Sequence, residues 1–324
     1  MARGMTEALR SAAAGLYGAA WELRRRAYAR GLLDQSRVGA RVVSVGNLTV
    51  GGTGKTTLTL CLARRALERG FTPAVVCRRY HPGPQGRGDE ELLYRAALGA
   101  ERVFAGASKL AAARRAARAG FAPLLVDDGF SHWPLARDAD LVLLDAHDLV
   151  GGGRLLPAGR LREPLRALQR ARAVVVSRLA PGEDPTPWLE RARALAPGSF
   201  LAAGRHQVTG VRSLGREAWP PGARVRVVTG TGNPRAVEAS AREAGCEVAS
   251  VSVWRDHHWF GVGEARAERA RARAQETWVL LTAKDAVRWP AGAGTERVAV
   301  LEVEWTWVVG GELVERVALE GEES

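Results

Sequence analysis

The sequence predicts an α/β protein: a parallel sheet with helices on both faces, followed by a smaller α/β domain. Three observations carry this expectation. Runs of β-branched residues and leucine alternate with helical patterns, as in sheets buried on both faces. The first of these runs opens into a glycine-rich loop and then a helix. At 324 residues the chain also exceeds what one core usually supports, so two domains are expected.

The first strand is Val42-Val43-Ser44-Val45. Residues 46–57 follow as Gly-Asn-Leu-Thr-Val-Gly-Gly-Thr-Gly-Lys-Thr-Thr, and Leu58, Leu60, Leu62, Ala63, Ala66 and Leu67 then recur at helical spacing. Strand, glycine loop, Lys-Thr and helix form a phosphate cradle, which makes the first domain P-loop NTPase-like. Gly51, Gly52 and Gly54 let backbone N–H groups turn onto phosphate oxygens, Lys55 adds a point charge near the β and γ groups, and the Thr56 hydroxyl suits Mg²⁺. Asn47, Thr53 and Thr57 complete the nucleotide-binding set, and a nucleoside triphosphate with Mg²⁺ is the expected ligand; the resemblance described below makes it ATP. Thr49 stands where the common G-x-x-x-x-G-K-[ST] pattern has glycine.

Further strands are expected at 73–77, 102–104, 124–126, 141–144 and 173–176, with helices opening at Asp89 and spanning 110–119. Ligands of such sheets bind at the carboxyl ends of the strands. The Pro/Gly-rich stretch 181–204 reads as a boundary, after which strands at 225–228, 248–253 and 278–281 alternate with a helix capped by Asn233-Pro234 and an Arg-rich helix. The division is therefore an amphipathic helix over 1–30, a P-loop domain over 31–200, which the resemblance given below makes a kinase domain, and a smaller α/β domain over 201–324.

In the N-terminal helix Leu9, Ala13, Leu16, Ala20 and Leu23 share a face, with Tyr17 and Trp21 beside them and Arg24-Arg25-Arg26 at the end. This suits either an anionic membrane surface or the protein's own core. A transmembrane span is not expected, because no apolar run reaches the roughly 18 residues required.

Forty-seven basic against 35 acidic residues give a formal charge of +12, which favours a polyanionic partner or surface. No stacking platform or reading helix points to nucleic acid, and nothing marks an obligate protein partner. Cys61, Cys77 and Cys246 are scattered, which excludes a disulfide framework or zinc site and fits reduced, buried thiols.

Asp127-Asp128-Gly129 ends the apolar run 124–126, where P-loop enzymes hold Mg²⁺ through an acidic residue; Asp127 or Asp128 is the expected ligand. Asp145 repeats the position without a partner and reads as structural. His132 lies close enough to bind a phosphate or orient an Asp. Gly230-Thr-Gly232 resembles a dinucleotide fingerprint only superficially, since Arg235 takes the last glycine position.

The P-loop with Thr49, then Gly88-Asp89-Glu90, Asp127-Asp128-Gly129-Phe130, Leu135 to Asp138, Leu156-Pro157-Ala158-Gly159 with Leu161-Arg162-Glu163-Pro164, Asp256-His257-His258 and Thr282-Ala283-Lys284-Asp285 together resemble the tetraacyldisaccharide 4'-kinases of lipid A synthesis. The resemblance spans nearly the whole chain. It implies ATP-dependent phosphorylation of the 4'-hydroxyl of an anionic tetraacyldisaccharide 1-phosphate by a peripheral protein on the cytoplasmic face of the inner membrane. It further implies that Lys55 neutralises phosphate, that Thr56, Asp128 and Glu163 serve the metal, and that Lys55, Asp127, Asp128 and His257 form the catalytic set.

Three positions depart from the family pattern: Cys77-Arg78-Arg79-Tyr80, Phe130-Ser131-His132, and Ala107, where the resemblance implies an acid that activates the sugar hydroxyl. The expectation is weakened or retuned activity. A non-catalytic homologue and a partitioning-type ATPase are the alternatives, although the latter carries lysine at the position of Val50 and lacks Leu-Arg-Glu-Pro.

Overall fold

The computed structural model describes residues 2–79, 82–84 and 86–321; Tyr80 lies outside them. In chain order the elements are α1 (Ala2–Ala29), β1 (Val42–Asn47), α2 (Lys55–Glu68), β2 (Ala74–Arg78), α3 (Asp89–Leu98), β3 (Val103–Gly106), α4 (Lys109–Arg118), β4 (Leu124–Asp127), β5 (Ala139–Asp145), β6 (Ala173–Ser177) and α5 (Thr186–Leu195). These are followed by β7 (Phe200–Ser213), β8 (Arg224–Thr229), α6 (Pro234–Glu243), β9 (Glu247–Val253), α7 (Val262–Ala274), β10 (Trp278–Thr282), α8 (Ala283–Ala286), β11 (Val298–Val309) and α9 (Gly311–Leu319).

The chain divides into two compact units. The first comprises residues 1–78, 98–206 and 305–324, and the second residues 79–97 and 207–304. The second unit therefore takes a piece from early in the sequence that the continuous division at 200 and 201 assigns to the first. The Pro/Gly-rich stretch read as a boundary contains α5 and the start of β7, whose residues Phe200 to Ala203 pair in parallel with Ala173 to Val176 of β6. Backbone pairing of an apolar segment outweighs the turn signals around it.

The first unit orders its strands β3-β2-β4-β1-β5-β6-β7, with parallel pairing between neighbours. β1 is buried at every position, as a central strand covered on both faces should be. On one face Ala112, Ala113 and Ala116 of α4 pack against Ala74, Val76, Leu124 and Val126. A separate cluster joins Val142, Leu144, Val174 and Val176 to Phe130, Trp133 and Trp21.

Trp21 belongs to α1, so one side of that helix docks on the protein's own core. Trp21 meets Trp133 edge to face at 6.2 Å, and Tyr28 stacks on the same ring at 5.5 Å. Met5, Leu9, Leu16 and Leu23 point away and are 66–75% exposed. At 100° per residue these four fall within an arc of about 40°, with Tyr17, Trp21 and Tyr28 roughly opposite. No helix among the described residues is long and apolar enough to cross a membrane.

In the second unit β11, β10, β8 and β9 pair in parallel in that order. Asn233 caps α6 by accepting from the Ala236 N–H at 3.2 Å, as its Asn-Pro signature predicts. One apolar cluster includes Val225, Val227, Trp278 and Leu280; another joins Val228, Phe260, Val279, Leu281 and Trp289.

Because Trp21 fills a cavity shared with Trp133, Trp21→Ala should destabilise the chain by about 3 kcal/mol. A lowered urea midpoint checks this, whereas an unchanged midpoint would mean that α1 does not belong to the core.

Candidate active site

β1 and β4 are adjacent and parallel, with Val45 opposite Asp127. The glycine loop and the acidic pair therefore leave the sheet side by side at its carboxyl edge. Gly51 and Gly54 sit at φ 113° and 90°, values open to glycine and costly for other residues. Gly54 is the N-cap of α2 and supplies no side-chain cap, so the first N–H groups of the helix point outward as donors for an anion. A Cβ on Gly54 would lie 2.7 Å from Cε1 of His206. That imidazole stands edge to face against Trp305 at 5.9 Å, and burial holds its pKa down to about 4.

The side chains around the loop form one polar network. Lys55 Nζ donates to Asn47 Oδ1 at 3.0 Å and lies 3.9 Å from Asp128 Oδ1. Arg162 grips Asp128 with both fork nitrogens, Nη1 to Oδ2 at 2.9 Å and Nη2 to Oδ1 at 2.7 Å. Nη2 also donates to Asn47 Oδ1. Lys109 Nζ donates to the Asp128 carbonyl at 2.5 Å. Burial alone would raise the Asp128 pKa, but Arg162 and Lys55 outweigh it and hold the carboxyl far below the usual range. Asp128 adopts φ 50°, a backbone state that favours Asp and Asn among non-glycine residues and concentrates at functional sites.

Several expected site residues thus converge: Asn47, Lys55 and Asp128 are bonded together, and Asp127 stands beside them. Thr53 is buried, and its hydroxyl has no hydrogen-bond partner among the described residues. Glu163 is placed differently. It is buried, and its Oε2 accepts from Arg170 at 2.5 Å, whose guanidinium lies 4.2 Å from the Phe130 ring and 4.1 Å from that of Trp133. Burial raises the Glu163 pKa against the pull of Arg170. His132 is half-buried, and burial followed by the nearby cations Lys109 and Arg137 lowers its pKa to about 4; it is neutral at pH 7.

Residue Ala107 lies in the β3–α4 connection, where Ser108 caps α4 by accepting from the Ala111 N–H at 3.3 Å. A carboxylate with a basic partner occurs elsewhere. In the second unit Asp89, at the start of α3, is buried with Oδ2 2.8 Å from Nδ1 of His257 and 3.9 Å from Nε of Arg288. Burial would raise the Asp89 pKa; the His257 bond and the charges of Lys284 and Arg288 outweigh it and bring it to about 2. The same bond raises the pKa of His257, which sits at φ 58°.

Lys284 Nζ reaches Glu90 Oε1 at 3.0 Å, and Arg288 Nη2 reaches the buried Asp285 at 2.8 Å. Gly230 donates its N–H to Asp285 Oδ1 at 2.9 Å, and a Cβ there would come within 2.9 Å of the Arg255 carbonyl. The Gly-Thr-Gly turn is thus built for close packing, in agreement with its rejection as a dinucleotide motif. Gly88-Asp89-Glu90, Asp256-His257-His258 and Thr282 to Asp285 meet in one cluster. Sequence reasoning gave His257 a role but read Asp89 only as a helix opener.

The fold and the cradle together define a P-loop protein of the phosphoryl-transfer class. Residues 6–319 match the tetraacyldisaccharide-1-P 4'-kinase (LpxK) family, and the chain belongs to that family. A tetraacyldisaccharide 4'-kinase of Anaeromyxobacter sp. (strain Fw109-5) is 36% identical over 325 residues, covering 92% of this chain and 87% of its relative. That of Halorhodospira halophila is 36% identical over 304 residues, covering 90% and 86%. The crystal structure of LpxK from Aquifex aeolicus in complex with ATP superposes with a TM-score of 0.71 at 23% identity, covering 94% and 95% of the two chains; the fold is shared.

Two outcomes are expected. Gly54→Ala should lose binding of a fluorescent ATP analogue while retaining the wild-type circular dichroism spectrum, because neither its φ nor His206 leaves room for a methyl group. In Asp89→Asn the His257 resonances should titrate closer to the ordinary value of about 6.5. A histidine whose pKa is raised on folding contributes stability that is fully present below its unfolded pKa and is lost as pH rises through the folded one. The melting-temperature gap between wild type and Asp89→Asn should therefore narrow on the alkaline side of neutrality.

Proposed function

We propose that this protein transfers the γ-phosphate of ATP to the 4'-hydroxyl of a tetraacyldisaccharide 1-phosphate, a step of lipid A biosynthesis. The carrying observation is a complete phosphate cradle, with its Lys55–Asn47–Arg162–Asp128 network, in a chain that matches the tetraacyldisaccharide 4'-kinase family from residue 6 to residue 319.

The uncapped start of α2 and the open glycine backbone fit a polyphosphate, and the Thr56 hydroxyl with the Asp127-Asp128 pair fits a hard divalent cation. Among the described residues no three His, Cys, Asp or Glu side chains converge into a metal cage. Thr56 and an acid of the Asp127-Asp128 pair are the protein groups that would hold Mg²⁺. When bound, Mg²⁺ supplies charge neutralisation of the β and γ oxygens. Asp127 is the member of the pair that the Arg162 fork does not occupy. Lys55 places its ammonium against the transferring phosphate, and the helix N-terminus orients it.

Asp89 accepts the proton of the sugar hydroxyl, with His257 fixing its orientation. At a pKa of about 2 this carboxylate is a weak base. A loose phosphoryl-transfer transition state asks little of its base, because the oxygen loses its proton late. An acid at position 107 is then unnecessary. The basic charge and the exposed leucine face of α1 suit an acceptor embedded in an anionic bilayer, with the protein peripheral to the cytoplasmic face of the inner membrane.

The test is transfer of labelled γ-phosphate from Mg-ATP to tetraacyldisaccharide 1-phosphate in detergent micelles. Wild type should label the lipid and Lys55→Ala should not. Asp89→Asn should fall by about 10²- to 10⁴-fold, and Ala107→Asp should leave turnover close to wild type. Undiminished labelling by Asp89→Asn, or a large gain from Ala107→Asp, would return the base to the β3–α4 connection.

A further inference from the structure

We propose that Tyr17 of α1 is a positioning residue for the phosphate cradle, through which contact of the leucine face with a lipid surface is felt at Lys55 and Asp128. This rests on the kinase reading above.

The link is a short run of direct bonds inside the first unit. Tyr17 Oη donates to the Arg162 carbonyl at 2.7 Å, across 145 residues of sequence. The Arg162 side chain holds Asp128 and Asn47, and Asn47 Oδ1 accepts from Lys55. Only Arg162 and Asn47 stand between the Tyr17 hydroxyl and the Lys55 ammonium.

The segment carrying Arg162 is itself laid against the entry to the cradle. Thr49 and Leu161 form an antiparallel bridge. The Arg162 N–H donates to the Leu48 carbonyl at 2.7 Å, and the Val50 N–H donates to the Arg160 carbonyl at 2.9 Å. Residues 160–162 are thus held by the P-loop through their backbone and by α1 through one phenol. Behind them the Glu163–Arg170 pair, racked between Phe130 and Trp133, fixes the next residue. A shift of α1 that breaks the Tyr17 bond releases the carbonyl of the residue whose fork orients Asp128.

The helix has a reason to respond to a surface. Trp21 is buried and Tyr17, 39% exposed, bonds to Arg162 at the edge of the contact, while Met5, Leu9, Leu16 and Leu23 face outward. A bilayer that takes up the leucines favours the register in which Tyr17 is bonded, and by linkage an ordered cradle must favour the bilayer equally.

The test compares wild type with Tyr17→Phe, which keeps the ring and removes only the donor. The probes are a fluorescent ATP analogue and vesicles of phosphatidylethanolamine with phosphatidylglycerol. Wild type should bind nucleotide more tightly with vesicles than without, and nucleotide should strengthen co-sedimentation by the same factor. Tyr17→Phe should co-sediment as wild type does without nucleotide. Its nucleotide affinity should fall about fivefold, as expected for one neutral hydrogen bond, and the vesicle-dependent gain should vanish.

In the transfer assay the KM for ATP should rise with the KM for the lipid unchanged; a merely structural role would lower the melting temperature and the active fraction and leave both constants alone. Wild-type nucleotide affinity in Tyr17→Phe, with and without vesicles, overturns the proposal. If wild type fails to label the lipid, the kinase reading falls while the nucleotide-binding comparison still decides the role of Tyr17.

Discussion

The grip of Arg162 on Asp128 is the interaction on which the first unit's site depends. It brings a cation into an already crowded set of charges, and each member tolerates its position because of the others. Lys55 and Lys109 approach the same residue that Arg162 holds, one through the carboxylate and one through the carbonyl. Without the fork, only Lys55 and Lys109 would oppose the burial that disfavours ionisation of Asp128. Without Asp128, three cations would gather with no carboxylate among them. The planar, bidentate geometry is specific to arginine, since lysine offers a point charge and no fork.

The second unit solves a related problem with other means. Asp89 and Asp285 are buried carboxylates, and each is matched by a cation or imidazole from a different element: His257 from the turn after β9, Arg288 from the segment after α8. The unfavourable backbone angle of His257 is held in place by N–H bonds to Asp256 Oδ1 and to the Gly230 carbonyl. A buried pair of this kind adds little net stability but fixes orientation.

The cradle and most of the sheet were legible because their signals are local. A β-branched run, four glycines and Lys-Thr occupy fifteen consecutive positions, 42–56, and the Asp127-Asp128 pair lies at the end of a strand whose pattern is unambiguous. Asp89 was not legible in the same way, since an acidic residue opening a helix is ordinary and its partner is 168 residues distant. The one available signal was its occurrence in Gly88-Asp89-Glu90, among the motifs that carried the resemblance. The contact of Glu163 with Arg170 was not legible either, because the resemblance alone gave Glu163 a role and no local pattern names its partner. α1 combined two apolar faces on one helix, and a single amphipathic stripe could not describe both.

The excursion of residues 79–97 into the second unit bears on how the molecule is made. During synthesis α3 emerges long before the rest of that unit, and it must wait for more than a hundred further residues before Asp89 can meet His257. The unit is therefore dominated by non-local closure, which slows folding and leaves an apolar helix face exposed on the nascent chain. It also cannot be excised as a contiguous fragment: a piece beginning at Gln207 would contain His257, Lys284 and Arg288 without Asp89, the buried carboxylate to which His257 bonds.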